Sequence, residues 1–221
     1  KGWDLWESPG HLDLKRLSAY EPMGQVFAIF FNSEKVVLPE ERWSRVLEQA
    51  ELFQRARAAH PELMARCALS LEGAELINCE ADCLEELKSR GVRWVNLTWN
   101  HPNALSGSCV TGEGLTDAGR AFARRCWALG MGVDVSHLSD QGFWDLMDML
   151  DGPVLASHSD SRALCPHRRN LTDDMARALI EANGYIGINF YTEFLGENAA
   201  AETAADHLEH FLSLGGEDCV G

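Results

Sequence analysis

The chain has 221 residues, 46% apolar and 24% charged, which suits one large globular domain or two small ones and excludes disorder, collagen-like repeats and coiled coil. Its 34 acidic and 19 basic side chains give a formal charge of −15, a field that repels phosphate and argues against nucleic acid or an anionic membrane surface as partner. No apolar run approaches the ~20 residues of a membrane-spanning helix.

The N-terminal Lys1-Gly2-Trp3-Asp4 has the form of neither a signal peptide nor an initiator context, so the chain is expected to start inside a longer protein. Residues 25–31 (QVFAIFF) predict a first strand. Residues 39–60 predict a helix, opened by a proline and two glutamates and carrying Trp43, Val46, Leu47, Ala50 and Phe53 at helical spacing. A strand over 66–72 (RCALSLE) precedes a short helix over 84–89 that stops at Gly91. The strand over 92–98 (VRWVNLT) is followed by a helix over 116–129, with Thr116 as N-cap and Gly130 as terminator. Strand 132–137 (GVDVSH) and helix 139–150 come next, then strand 153–159 (PVLASHS) and helix 172–183. Each of those helices begins at a Ser or Thr. The last strand is 185–191 (YIGINFY), and the last helix, 200–214, is stopped by Gly215-Gly216.

Most of these strands are continuous apolar runs, as expected when a sheet is covered on both faces. Six alternations of strand and helix, with no composition break, predict a single α/β domain over 1–221 with a parallel sheet. An open doubly wound sheet and a (β/α) barrel both fit. No glycine-rich phosphate loop follows any strand, which lowers the nucleotide-binding version. The seven scattered cysteines read as free thiols of a reducing cytoplasm. The one close pair, Cys79 and Cys83, could share a helical face, but no second pair completes a zinc knuckle.

Three strands end in a metal-ligating side chain: Glu72 in LSLEG, His137 in VDVSHLS and His158 in LASHSDS. Chemistry in βα proteins sits at the C-terminal ends of the strands. Two imidazoles and a carboxylate suit zinc, and a carboxylate can bridge two ions. These three residues are therefore the candidate metal ligands.

The chain resembles the membrane (renal) dipeptidase family of zinc peptidases and its bacterial members. The resemblance rests on Gly10-His11-Leu12-Asp13-Leu14, Leu71-Glu72-Gly73, Gly114-Leu115-Thr116, the run from Gly132 to Ser139, Ser157-His158-Ser159, the run from Arg168 to Asp174, and Asn189-Phe190-Tyr191. It implies a TIM-type (β/α)8 barrel with a two-zinc centre that hydrolyses dipeptides. About six of the eight strands would lie in this chain. Glu72 would bridge the two zincs, and His137 and His158 would complete the second site. Arg169 would bind the carboxylate of the dipeptide substrate, and Tyr191 would be a rim residue facing it. The renal form has a histidine where this chain has Trp99; His101, two residues on, is the substrate-binding candidate in its place, although Pro102 favours a loop there.

The family's H-x-D pair on the first strand is not His11 and Asp13, which follow Ser8-Pro9-Gly10 rather than an apolar strand. That strand is expected before Lys1, and the family's catalytic aspartate beyond Gly221, so this piece alone is expected to be inactive. His60 and His167 are expected on the surface, and His207 and His210 to be structural or solvated. A homodimer is left open. The alternatives to a zinc dipeptidase are an amidohydrolase-like barrel acting on another amide or ester, and a non-catalytic homologue.

Overall fold

Each of the six strands lies inside a segment that its apolar run predicts. The computed structural model describes residues 5–20, 22–33 and 38–221. In chain order the elements are α1 (Leu14–Leu17), β1 (Val26–Ile29), α2 (Pro39–Ala59), β2 (Ala68–Leu71), α3 (Leu84–Ser89), β3 (Val92–Asn96), α4 (Asp117–Ala128), β4 (Gly132–Asp134), α5 (Asp140–Met147), β5 (Val154–Ala156), α6 (Asp173–Glu181), β6 (Tyr185–Ile186), α7 (Thr192–Leu195) and α8 (Ala201–Ser213). The strands are ordered β1-β2-β3-β4-β5-β6, without a reversal. A doubly wound sheet needs a point where the order turns back. The sequential order therefore decides for the barrel type of α/β fold.

Two compact units make up the chain, 1–94 and 95–221, and the division falls within β3. In the first unit β1 and β2 pair in parallel, from Val26 opposite Ala68 to Ile29 opposite Leu71. Val46, Ala50, Phe53 and Ala56 form the buried stripe of α2. Trp43 and Leu47, predicted on the same stripe, lie half-buried at its border. The Phe53 ring meets Phe27 of β1 edge-on at 5.8 Å. Pro39 at the start of α2 lacks only an amide that the first turn leaves unbonded, and Glu40 and Glu41 face the positive end of the helix dipole.

In the second unit β5 pairs in parallel with β4 on one side and β6 on the other. Beyond β6, Ile186 and Val220 form a parallel bridge, and Ile188 donates its amide to Gly221 O at 2.9 Å. Helices α4, α5 and α6 start as the sequence predicts. Thr116, Ser139 and Thr172 accept, through their hydroxyl oxygens, the amides of Gly119, Gly142 and Met175 at 3.0, 2.9 and 3.2 Å. Gly119 is obligatory for packing, since a Cβ there would lie 2.0 Å from Leu105 O. The core is built on Phe122, Cys126, Leu146, Leu179 and Phe211, all at most 2% exposed.

Strands β4 and β5 are shorter than their apolar runs because side chains take over the backbone amides at their ends. Asp134 Oδ1 accepts the Ser136 amide at 3.0 Å, which stops the ladder and starts a turn. Two short helices, α1 and α7, are additions to the predicted order. Cys79 and Cys83 do not share a helix: Cys79 has φ 61° in a tight turn after Asn78, and Cys83 closes a 3-10 turn. All seven cysteines are free thiols. Among the described residues no helix is long and apolar enough to cross a membrane.

Candidate metal centre

His137 and His158 arise from adjacent strand ends and face one another. His137 follows β4 by three residues, at φ 77°. That left-handed conformation is uncommon outside glycine and costs on the order of 1–3 kcal/mol. Two contacts hold it there: Cys109 donates its amide to His137 O at 2.9 Å, and Leu138 forms an antiparallel bridge with Ser108. The loop after β3 thus fixes the backbone that aims the imidazole.

The Nε2 atoms of His137 and His158 are 2.9 Å apart. Each ring uses Nδ1 on a neighbour. His137 Nδ1 faces Asn100 Oδ1 at 2.9 Å, and His158 Nδ1 faces Ser157 Oγ at 2.6 Å. With Nδ1–H donated in both rings, two lone pairs converge on one point. This is the usual second partnership of a metal-bound histidine, which fixes tautomer and ring plane together. Two nitrogens serving one zinc at ~2.0–2.1 Å must lie within about 4.1 Å of each other, and the pair meets that condition. His137 is 5% exposed. Burial, with the nearby Arg169 guanidinium adding to it, pushes its pKa well below the ordinary imidazole value, against an opposing pull from Asp134. The neutral, ligating form is therefore favoured.

Arg169 lies beside this pair. The residue is 6% exposed, and its Nη2 donates to His158 O at 3.4 Å. The cation stands 5.4 Å from the centre of the Phe194 ring, a cation–π distance. Its loop is tightly bonded. Asn170 Nδ2 donates to Cys165 O and Phe194 O at 2.9 and 2.8 Å, and Arg162 forms a two-pronged pair with Asp140 at 2.6 and 2.7 Å. His167, expected on the surface, is half-buried: its Nδ1 accepts the Arg169 amide at 3.1 Å and its ring lies 4.5 Å from Phe194.

Tyr191 is 52% exposed and meets Phe194 at 4.8 Å, so it stands at the border of the Arg169 platform. Glu193 beside it raises the phenol's pKa. His101 is exposed in the loop after β3, which ends at Asn96. Its ring is 5.9 Å from Trp99, and Trp99 in turn is 6.1 Å from His137. The indole is thus a side chain next to His137, and His101 packs against the indole in the same loop.

In the first unit, Glu72 follows β2 and is half-buried, with its amide donated to Ile29 O at 3.1 Å. Gly73 turns the chain immediately after it at φ 104°, where a Cβ would lie 2.6 Å from the Glu75 carboxylate. Arg42 of α2 clamps the same turn through Glu75 O and Asn78 Oδ1, both at 3.1 Å. Asp13 is committed elsewhere. It caps α1 through Arg16 N at 2.8 Å and pairs with the Arg16 guanidinium, and these contacts hold its pKa down at about 2. His11 is exposed. His207 is fully buried as a structural residue, accepting the Ser161 amide at Nδ1 at 2.9 Å and facing Leu195 O through Nε2 at 3.1 Å. His210 pairs with Asp173 at 2.8 Å.

Sequence reasoning found the two histidines but missed the groups that aim them, Asn100, Ser157 and Asp134, and the imidazole of His167 that holds the Arg169 backbone. Ser157 and Asp134 had a local signal, a hydroxyl next to a strand-end histidine and an Asp two residues before a Ser, the pattern of a side-chain-bonded turn. Asn100, 37 residues from His137, had none.

Comparison with known proteins follows the same lines. The description "Membrane dipeptidase (Peptidase family M19)" matches residues 3–221. An uncharacterised protein of Acinetobacter calcoaceticus, from the PQQ-III 3′ region, is 32% identical over 249 residues, spanning 92% of this chain and 79% of its own length. Among solved structures, a family M19 metallopeptidase, dipeptidase AC, superposes with a TM-score of 0.82 at 32% identity, over 97% of this chain and 75% of that one. A Rhodobacter sphaeroides metallopeptidase liganded with a phosphinate mimic of the dipeptide L-Ala-D-Ala has the same TM-score at 29% identity, over 97% of this chain and 76% of that one.

Proposed function

The chain belongs to the membrane dipeptidase family, peptidase family M19, and from that membership we propose that it is a zinc-dependent dipeptidase whose metal ligands include Glu72, His137 and His158. The observation that carries the reading is the His137–His158 pair, with both Nε2 atoms turned to one point and both Nδ1 atoms engaged. Glu72 supplies the carboxylate in this reading, since it follows β2 as the two histidines follow β4 and β5, at the strand ends where the chemistry of this fold sits. Nitrogen and carboxylate donors without thiolate suit zinc in a hydrolytic role. A second zinc sharing Glu72 is part of the proposal. When bound, zinc supplies Lewis acidity at the scissile carbonyl and lowers the pKa of water.

The chain's own residues set what is cut. Arg169 lies next to His158 and is the substrate's carboxylate anchor. One residue spans at most ~3.3–3.6 Å. A fixed cation next to a metal ligand suits a carboxylate one residue beyond the scissile bond, as in a dipeptide. Phe194 and Cys165 keep that cation in place by stacking and by loop bonding, and a planar guanidinium suits two-pronged recognition of a carboxylate. Trp99 gives the site an apolar wall beside His137.

The test, made on the natural full-length protein, is hydrolysis of L-Ala-L-Ala and L-Ala-D-Ala after chelator treatment, before and after zinc is restored, with Ala-Ala-amide as the uncharged comparison. Activity should return with zinc, and the free carboxylate should be strongly preferred. Arg169→Ala should cost about 2–5 kcal/mol in kcat/KM, the loss expected when one partner of a buried charge pair is removed, whereas Arg168→Ala, at an exposed position, should change little. Equal losses from the two substitutions would sink the assignment of Arg169. Zinc-independent hydrolysis would sink the metal reading. An amide-hydrolysing barrel of other specificity is distinguished by zinc-dependent turnover of Ala-Ala-amide without that preference.

A further inference from the structure

We propose that Asp134 is a positioning residue for the metal centre: its buried carboxylate, together with the Ser136 hydroxyl, fixes the turn carrying His158 against the turn carrying His137. This rests on the reading of both histidines as ligands.

Asp134 ends β4 and is 1% exposed. Its Oδ1 accepts two amides, Ser136 at 3.0 Å in its own turn and Ser157 at 3.1 Å in the turn after β5. Ser136 Oγ accepts the next amide of that second turn, His158, at 3.2 Å, and also meets Ser159 Oγ at 3.2 Å. Ser136 is itself held from behind, where Asn96 Nδ2 donates to its carbonyl at 3.0 Å. Backbone pairing of β4 with β5 is last seen where Val135 donates to Leu155 O at 2.8 Å. From there on, the Ser157 and His158 amides are held by side chains of the β4 end.

Stability alone does not explain this arrangement. A ladder carbonyl would satisfy the same amides without burying a charge, and desolvating a carboxylate is costly. Asp134 Oδ2 also accepts no hydrogen bond. The carboxylate does two things that a ladder bond could not. One acceptor joins both ligand-bearing turns, so their separation is set by a single atom. Ending the ladder also releases His137 to take its left-handed conformation.

The experiment is zinc affinity, measured by competition with a chromophoric chelator, on variants whose fold is checked by circular dichroism and thermal melting. Asp134→Ala should bind zinc roughly 10–100-fold more weakly than the parent, the range seen when groups that orient ligands are removed. Asp134→Asn keeps the Oδ1 acceptor for both amides and should stay within about threefold. Thr172→Ala removes only the α6 cap, so it should lower the melting temperature and leave zinc affinity unchanged. Parent-like affinity in Asp134→Ala would overturn the proposal, as would an equal loss in Asp134→Asn. If Asp134→Ala does not fold, Ser136→Ala decides: it should weaken zinc binding severalfold, and no change would overturn the proposal. His158→Ala separates the two claims. If it leaves zinc binding intact, the metal reading falls and this proposal with it; if it abolishes binding while Asp134→Ala does not weaken it, only the positioning role falls.

Discussion

His167 shows how one side chain can make the site sensitive to pH. Its Nδ1 accepts the Arg169 amide, which only an imidazole unprotonated at that atom can do. Burial first, then the charges of Arg168 and Arg169, lower its pKa below the ordinary value, with Glu193 opposing. Because the folded pKa lies below the unfolded one, the unfolded chain takes up the proton first. The stabilisation is full above about pH 6.5 and is lost as the pH falls from there through the folded pKa. His167→Asn keeps an acceptor that does not titrate. The melting temperature of the parent should therefore fall relative to this variant between pH 7.5 and 5.5; a constant difference over that range would contradict the assignment. At this scale the sequence was legible where chemistry and position coincide, as in His137 and His158. It was silent where a group acts on another through space. His167 looked like one more surface imidazole because its role depends on an amide two residues away and on Phe194, 27 residues away in sequence.

At the scale of elements, the helix starts were the most legible feature. A Ser or Thr before an apolar-periodic run has a local mechanism, and all three such caps are formed. Ser139 does more than cap α5, since its hydroxyl also donates to Glu113 O at 2.6 Å. Ser139→Ala should therefore destabilise the fold by about 1–2 kcal/mol, in the upper part of the range for a lost cap; urea unfolding would show it, and Ser139→Thr should restore most of the loss. A change below about 0.3 kcal/mol would mean that the helix start is held by tertiary packing alone. Strand ends were less legible because an apolar run shows which residues are buried, not which amides are in a ladder. Asp134 and Ser136 sit within such a run and terminate it. Helix α1 was missed because Asp13 was weighed only as a metal ligand, while its spacing to Arg16 is that of a cap. Helix α7 has no capping side chain and so left no local mark.

Over the whole chain, the alternation of strands and helices was visible in the sequence, but it could not separate a barrel from a doubly wound sheet. That choice depends on which strands are neighbours, a long-range property with no periodic signature, and the unreversed order β1 to β6 makes it. The acidic excess also acts at this scale: a charge of −15 attracts cations, and the buried cationic side chain of Arg169 is kept within that field. The central claim is that His137 and His158 jointly bind one metal ion in a dipeptidase of family M19. Zinc K-edge absorption of the zinc-loaded protein tests it most directly. A shell of nitrogen and oxygen at ~2.0–2.1 Å with imidazole multiple scattering is predicted, and that imidazole signal should fall by about half in His158→Ala. A spectrum without imidazole, or one unchanged by the substitution, would contradict the account.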